Sequence, residues 1–455
     1  MMKIIIAGAG KVGVNIAESL AAEGHDITVV DRDSETIERV SNALDVICVL
    51  GSAANPETLR EAGAAQADVL MAMTEADEVN MLCALAAKRL GTKYIVARIR
   101  DPEYLSQTEF LREAIGLSVI VNPEYECAKE ISRILRFPSA VRVETFSKGS
   151  SEIIDYRVPD PSPLDGVALR DTARRFGTKV LIGVVERGGE VMIPNGDLVL
   201  RSGDRLSLLG TAREVRKFFS AVGQKDRRVK SAMIMGGGRI SVYLAQILEE
   251  SGISVTVVDR SHARCDELCD LIPTARVICG DATRDEVLLE EGIRSADAFV
   301  SLTGDDGDNI VTAMYARHCG VRKTVVKVNH RHFSGILDES GDSMVTPSDI
   351  VAQQLVSYVR AVDNSAPWSS IETLHKLAGG RIEALEFKVG DGARCIGTPL
   401  KDLKTRKNIL ITSLTRGGKT LIPNGSTVIE SGDSAVVIAE AGLIKDINDI
   451  MEDER

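Results

Sequence analysis

The sequence predicts an α/β protein built from two tandem, doubly wound parallel sheets, each followed by a small α+β lobe. Three observations predict it. Short apolar runs alternate with amphipathic stretches, the pattern of parallel strands joined by helical crossovers. The chain also repeats itself: Gly8, Gly10 and Asp31 pair with Gly236, Gly238 and Asp259 at a spacing of 228, and Gly51, Thr74 and Asn80 pair with Gly280, Thr303 and Asn309 at 229. Finally, the register continues into the smaller segments, where Ile193-Pro194-Asn195-Gly196 and Ser202-Gly203-Asp204 match Ile422-Pro423-Asn424-Gly425 and Ser431-Gly432-Asp433.

In the first copy the strands are expected near 2–7, 26–31, 45–50, 68–73, 94–98 and 118–121. A helix opens at the glycine loop and carries Val14, Ala17, Leu20 and Ala21 on one face. The second copy repeats the pattern near 231–235, 254–259, 275–279, 297–302, 324–328 and 343–346. Each copy closes with an amphipathic helix after a proline. The first runs Glu124 to Arg136, with Ala128, Ile131 and Leu135 inward, and the second Ser348 to Val362, with Val351, Leu355, Tyr358 and Val362 inward. The simplest expectation is that each helix covers its own sheet; the alternative is packing on another subunit.

Pro138 with Ser147-Lys148-Gly149-Ser150-Ser151 marks one boundary, and Asp363-Asn364-Ser365-Ala366-Pro367 marks another. Charged residues Lys225 to Lys230 link the halves. The expected domains are therefore 1–139, 140–224, 229–365 and 367–455. Within the smaller lobes, Arg187-Gly188-Gly189 and Arg416-Gly417-Gly418 sit between strand-like runs and predict hairpins.

A chain of 455 residues exceeds a single core. The net charge of −11 argues against nucleic-acid binding and against docking on anionic lipid. No apolar run approaches the roughly 20 residues that span a bilayer, and the N-terminus enters a strand directly, so neither membrane insertion nor a signal peptide is expected. Eight scattered cysteines then read as free thiols in a reducing cytosol. His262, Cys265 and Cys269 share one helical face, but no fourth ligand is visible and no metal is expected.

The sequence Gly8-x-Gly10-x-x-Gly13 follows a strand and opens a helix, with Lys11 and Val12 in its first turn. Gly8 permits the turn, Gly10 lets backbone approach a phosphate, and Gly13 lets helix pack on strand. The helix N-terminus offers amide hydrogens and the positive dipole end to phosphates. Asp31 ends the second strand, where a carboxylate accepts ribose hydroxyls and repels a 2′-phosphate; Arg32 beside it softens that preference. The bland alternative is that the glycines serve only a tight connection. The second copy keeps Gly236, Gly238 and Asp259, with Arg239 and Ile240 opening its helix, but Ser241 replaces the third glycine; its hydroxymethyl is expected to crowd the helix against the strand, the alternative being that serine still fits. Ser52 and Ala53, or Asp281 and Ala282, follow the third strands; Thr74 and Glu75, or Thr303, follow the fourth. All lie at carboxyl ends of strands, where open sheets bind ligands. Asp77 and Glu78 are equally readable as first-turn helix acids. Arg98 and Arg100 follow the fifth strand, placed either to clamp phosphate or to pair with Asp101; Lys327 and Asn329 replace them in the second copy.

These motifs, in this order and duplicated with their lobes, resemble the tandem RCK (KTN) family. The residues that carry the likeness are Gly8-Ala9-Gly10-Lys11-Val12-Gly13, Asp31, Gly51-Ser52-Ala53, Met73 to Asn80, Ala97-Arg98-Ile99-Arg100 and the repeated lobe motifs. The resemblance implies Rossmann-like RCK N-lobes and α+β C-lobes. It implies NAD(H) as cofactor, with ATP or ADP as alternatives, its ribose on Asp31 and Asp259. It also implies a dimer or tetramer assembled as a cytoplasmic gating ring. That ring would lie on the inner face of the membrane through a potassium-translocating integral membrane subunit (TrkH- or TrkG-like), and would control potassium uptake without catalysis.

Two other readings stay open. Regulation of potassium efflux or antiport would use the same sensor on a different client. An NAD-dependent oxidoreductase would need an acid–base group facing the nicotinamide. The six histidines are His25, His262, His318, His330, His332 and His375, and none sits in a setting repeated in both copies. The local cluster His330-Arg331-His332 reads as a solvated turn.

Overall fold

The computed structural model describes residues 1–105, 107–146, 149–224, 228–329, 342–363 and 369–452. The His330–His332 cluster, Ser147 and Lys148, Lys225 to Arg227 and Asn364 to Pro367 lie outside the described residues.

The chain divides into two compact units, residues 1–127 with 346–363, and 128–345 with 364–455. In the first, β1 (Lys3–Ala7), β2 (Asp26–Asp31), β3 (Ile47–Leu50), β4 (Val69–Ala72), β5 (Tyr94–Arg98) and β6 (Val119–Val121) form one parallel sheet of order β3-β2-β1-β4-β5-β6. The helices are α1 (Lys11–Ala21), α2 (Ser34–Ala43), α3 (Pro56–Glu61), α4 (Asp77–Leu90), α5 (Pro102–Leu105) and α6 (Thr108–Leu111). Because successive strand residues point to opposite faces, β1 sends Ile4 and Ile6 to one core and Ile5 and Ala7 to the other. The strand order reverses between β1 and β4, which opens a crevice above their carboxyl ends.

The helix α7 (Pro123–Arg136) is shared, its residues through Cys127 belonging to the first unit and those from Ala128 onward to the second.

In the second unit, β7 (Arg142–Phe146), β8 (Ser151–Arg157), α8 (Leu169–Phe176), β9 (Leu181–Arg187), β10 (Glu190–Met192), β11 (Arg205–Gly210) and α9 (Ala212–Ala221) form the first small lobe. The second large sheet comprises β12 (Ser231–Met235), β13 (Ser254–Asp259), β14 (Arg276–Cys279), β15 (Ala298–Ser301), β16 (Lys323–Lys327) and β17 (Ser343–Val345), with α10 (Arg239–Glu250), α11 (His262–Leu271), α12 (Asp285–Glu290) and α13 (Asp306–His318). Its order, β14-β13-β12-β15-β16-β17, repeats the first sheet.

The helix α14 (Pro347–Asp363) corrects an expectation. It follows the second sheet in sequence yet packs against α1 of the first unit, burying Val351, Leu355 and Val359 with Ile16 and Leu20. Arg360 clasps Glu23 through its Nε and Nη2 at 2.8 Å, and Asn15 Nδ2 donates to Asp349 Oδ1 at 2.5 Å. The inward face was legible from its spacing. Its target was not, because two sheets of one topology offer equivalent apolar faces.

The last lobe holds β18 (Ser369–Leu377), β19 (Ile382–Val389), β20 (Ile409–Arg416), β21 (Lys419–Leu421) and β22 (Ser434–Glu440). Both small lobes are five-stranded antiparallel sheets of matching order, β7-β8-β11-β9-β10 and β18-β19-β22-β20-β21. The predicted hairpins are present, with both turn glycines at positive φ: 58° and 85° at Gly188 and Gly189, 54° and 75° at Gly417 and Gly418. The repeated Ser-Gly-Asp motif holds each lobe together. Buried Asp204 takes Arg187 at 2.7 Å through both oxygens, and buried Asp433 takes Arg416 at 2.8 Å in the same way. The two lobes pack sheet to sheet through Phe146, Ile153, Val184 and Leu209 against Leu377, Ile382, Val436 and Ile438.

Candidate functional site

The glycine loop after β1 has its shape for reasons readable atom by atom. Gly8 adopts φ 108°, and a Cβ there would lie 2.7 Å from the backbone of Met73 and Thr74. A Cβ on Gly13 would lie 1.9 Å from the Gly8 carbonyl oxygen. A Cβ on Gly10 would meet nothing within 4 Å, so this residue is open toward the crevice. Gly10 is also the N-cap of α1, which has neither a capping side chain nor an acid in its first turn. The first amides of α1 thus face an exposed surface with no acid in their own turn, an arrangement suited to an anion.

The second copy has the same build. Gly236 adopts φ 93°, Gly238 is open, and α10 likewise begins without a capping side chain or first-turn acid. Of the two outcomes open for Ser241, crowding and fitting, the structure shows the second. Ser241 is fully buried and its hydroxyl donates to the Gly236 carbonyl, so the added bulk becomes a hydrogen bond where Gly13 leaves bare contact.

Asp31 does more than its sequence position implied. Ala9 N–H donates to its Oδ2 at 2.6 Å and Asp33 N–H to its Oδ1 at 3.0 Å. Asp259 repeats this with Gly237 at 2.6 Å and Ser261 at 2.9 Å. Each carboxylate therefore ties the glycine loop to the end of the second strand while retaining lone pairs for another donor. Gly237 was missed in the sequence: a Cβ there would lie 2.5 Å from Leu268 Cδ1 and 3.1 Å from Asp259 Oδ2.

The fourth-strand motif is a staple. Fully buried Asn80 accepts Thr74 N–H at 2.8 Å and the Thr74 hydroxyl at 2.7 Å, and donates to the Thr74 and Arg98 carbonyls at 3.1 and 2.9 Å. Asn309 makes the same bonds to Thr303 and Lys327. These bonds fix the ends of adjacent strands at the crevice. Asp77 is more than a first-turn acid: it accepts the backbone amides of Arg100 and Asp101 at 2.7 and 2.8 Å, and Asp306 holds Asn329 similarly.

Arg98 is paired with Glu124 at 3.4 Å, and Arg100 with Asp77 at 3.5 Å and Glu124 at 3.7 Å. The expected partner Asp101 instead caps the amide of Glu103. Glu124 was missed because only the sixth strand's position brings it beside the fifth. Burial pulls the Arg98 guanidinium pKa below its ordinary value, opposed by Glu124. The Nε of Arg98 and Oε2 of Glu124 are buried without a hydrogen-bond partner.

In the second unit the structure gathers Gly236, Gly238, Asp259, Asp281, Ala282 and Thr303 around a cleft of 510 Å³, a size typical of ligand sites. Arg239 and Ile240 do not line it; Ile240 is buried in the helix base. In the first unit Lys11, Arg32, Ser52 and Glu75 are exposed at the rim, Thr74 is half-buried, and Ala53 and Val12 pack inward. His262, Cys265 and Cys269 do not converge: Cys265 is buried, its thiol pushed up to about 11 by burial and the neighbouring Cys279, while Cys269 is exposed. No group of three metal-ligating side chains occurs among the described residues, and none of their helices is long and apolar enough to cross a membrane.

The TrkA-N domain family matches residues 4–123 and 232–347, and the TrkA-C domain family matches 153–223 and 384–452. The chain is 35% identical over 451 residues to the Trk system potassium uptake protein TrkA homolog of Archaeoglobus fulgidus, covering 99% of this chain and 100% of that one. It is 32% identical to the Trk system potassium uptake protein TrkA of Vibrio alginolyticus, covering 96% and 95%. Among solved structures, the GsuK RCK domain superposes with a TM-score of 0.62 at 19% identity, covering 96% of this chain and 92% of that one. The GsuK channel bound to NAD gives 0.61 at 19%, covering 96% and 76%.

Proposed function

The chain belongs to the TrkA family, and from that premise we propose that it is a non-enzymatic, nucleotide-responsive regulatory subunit of a potassium-uptake system. The observation that carries this reading is the duplicated cradle: an uncapped helix N-terminus, an open glycine and a loop-anchoring aspartate, built twice. NAD(H) is the ligand this chemistry fits, with phosphates on the amides of α1 or α10 and ribose on Asp31 or Asp259. ATP and ADP share that ribose and phosphate chemistry and would compete. The cofactor residues are those named as lining the crevice; Arg98 and Arg100, held by Glu124 and Asp77, fix the end of the fifth strand beside the first site.

A regulator acts only if its ligand distinguishes two states of the assembly. The proposed assembly is a ring of this chain on the cytoplasmic face of a potassium-translocating membrane protein. Exposed apolar residues support self-association, because they recur at matched positions: Leu82 and Leu85 on α4, Val311 and Met314 on α13. The functional test is potassium flux into proteoliposomes holding the membrane subunit, with the full chain added. Nucleotide should change the flux, and Gly10→Val combined with Gly238→Val should remove that response. Flux indifferent to every adenine nucleotide contradicts the proposal.

A further inference from the structure

The two small lobes meet at a buried ionic cluster that the nucleotide cradles do not use. At its centre is His375 on β18, whose side chain is 15% exposed. Its Nδ1 lies 2.8 Å from Glu144 Oε2 on β7, and its Nε2 lies 3.1 Å from the Thr145 carbonyl oxygen. Both partners are acceptors, and a neutral imidazole carries only one N–H. Moving the missing proton to Glu144 is disfavoured, because Arg142 Nη2 sits 2.5 Å from the other oxygen of that carboxylate. The contacts are complete only when His375 is an imidazolium. Its ring also packs edge-on against Phe146 at 4.8 Å between centroids, and Arg142 Nη1 donates to the Lys376 carbonyl at 2.9 Å, so the cluster spans the joint between β7 and β18.

We propose that this joint is a proton-binding site, closed when His375 carries two ring protons and loosened when one is lost. It is independent of whether the cradles bind nucleotide.

The surrounding charges divide, Glu144 favouring the imidazolium and Arg142 opposing it. The helix α7 contributes Glu130, paired with Arg133 at 2.9 Å. From β8 comes Asp155, held by the Ser207 hydroxyl at 2.7 Å. The strand β19 places Ala384 opposite His375, with its buried carboxylates Glu383 and Glu386 beside Lys376 and Thr373. Glu144 raises the His375 pKa above its ordinary value against the pull of burial. A histidine raised on folding stabilises the fold fully below its unfolded value, and that stabilisation is lost as pH rises through the folded value. Burial and Glu144 push Glu130 up to about 7, so its ionisation also costs stability as pH rises from the ordinary carboxylate range toward 7. Both groups tighten the joint on the acid side.

The test is ¹⁵N NMR of the full chain labelled at histidine, with thermal unfolding followed from about pH 6 to about pH 9, a range spanning ordinary histidine titration. One of the six imidazoles should keep both ring nitrogens protonated where the others are neutral, and His375→Gln should remove that signal. The unfolding midpoint should fall with rising pH in the native chain and fall less steeply in His375→Gln. If that variant does not fold, the native spectrum still decides. No imidazole doubly protonated at about pH 7.5, or an unchanged pH slope in a folded His375→Gln, would overturn the proposal.

Discussion

Three glycines of one motif have different duties, and substitution separates them. Gly10→Val adds bulk only to open space, so the fold should persist while nucleotide binding at the first site is lost, as circular dichroism with calorimetry would show. Gly13→Val forces a carbon onto the Gly8 carbonyl and should lose the fold of the first unit as well. Asp31→Ala should weaken nucleotide binding by about 1–3 kcal/mol and also loosen the loop, because the carboxylate serves both. At this scale the sequence was legible where backbone geometry forbids a side chain, since glycine spacing records that directly. It was silent on hydrogen bonds that join distant segments. Ser241 reads as an obstacle until its hydroxyl is seen on Gly236, and spacing alone offers Asp101 to Arg98 until Glu124 is seen beside it.

The elements were legible through their periods. Strand alternation and the inward faces of α7 and α14 followed from spacing alone. Which surface α14 covers did not, since a period of 3.6 fixes that a face is buried and not by what. The helix binds the first sheet's α1 side through Leu355 and its neighbours. Leu355→Ala should therefore destabilise the first unit by about 2–5 kcal/mol, although the residue lies beyond residue 345 in sequence. Denaturant unfolding with local exchange readouts on β1 and β2 checks this; destabilisation confined to β12 and β13 would contradict the packing. Asn80→Ala tests a second link, leaving Thr74 and Arg98 backbone groups without partners and costing about 1–3 kcal/mol at the crevice.

At the scale of the whole molecule, duplication produces two cradles whose floors match and whose rims differ. Ser52 stands where the second copy has Asp281, and Arg98 and Arg100 where it has Lys327 and Asn329. The proposed ring predicts a stable multimer in light scattering, and charged substitutions at Leu82 with Val311 should shift it toward smaller species. The account's central claim is that the cradles hold an adenine nucleotide. Isothermal titration of the full chain with NADH, NAD, ATP and ADP tests it most directly. Saturable binding at one or two sites per chain, abolished by Gly10→Val with Gly238→Val, is the predicted result; no heat of binding with any of the four would contradict it.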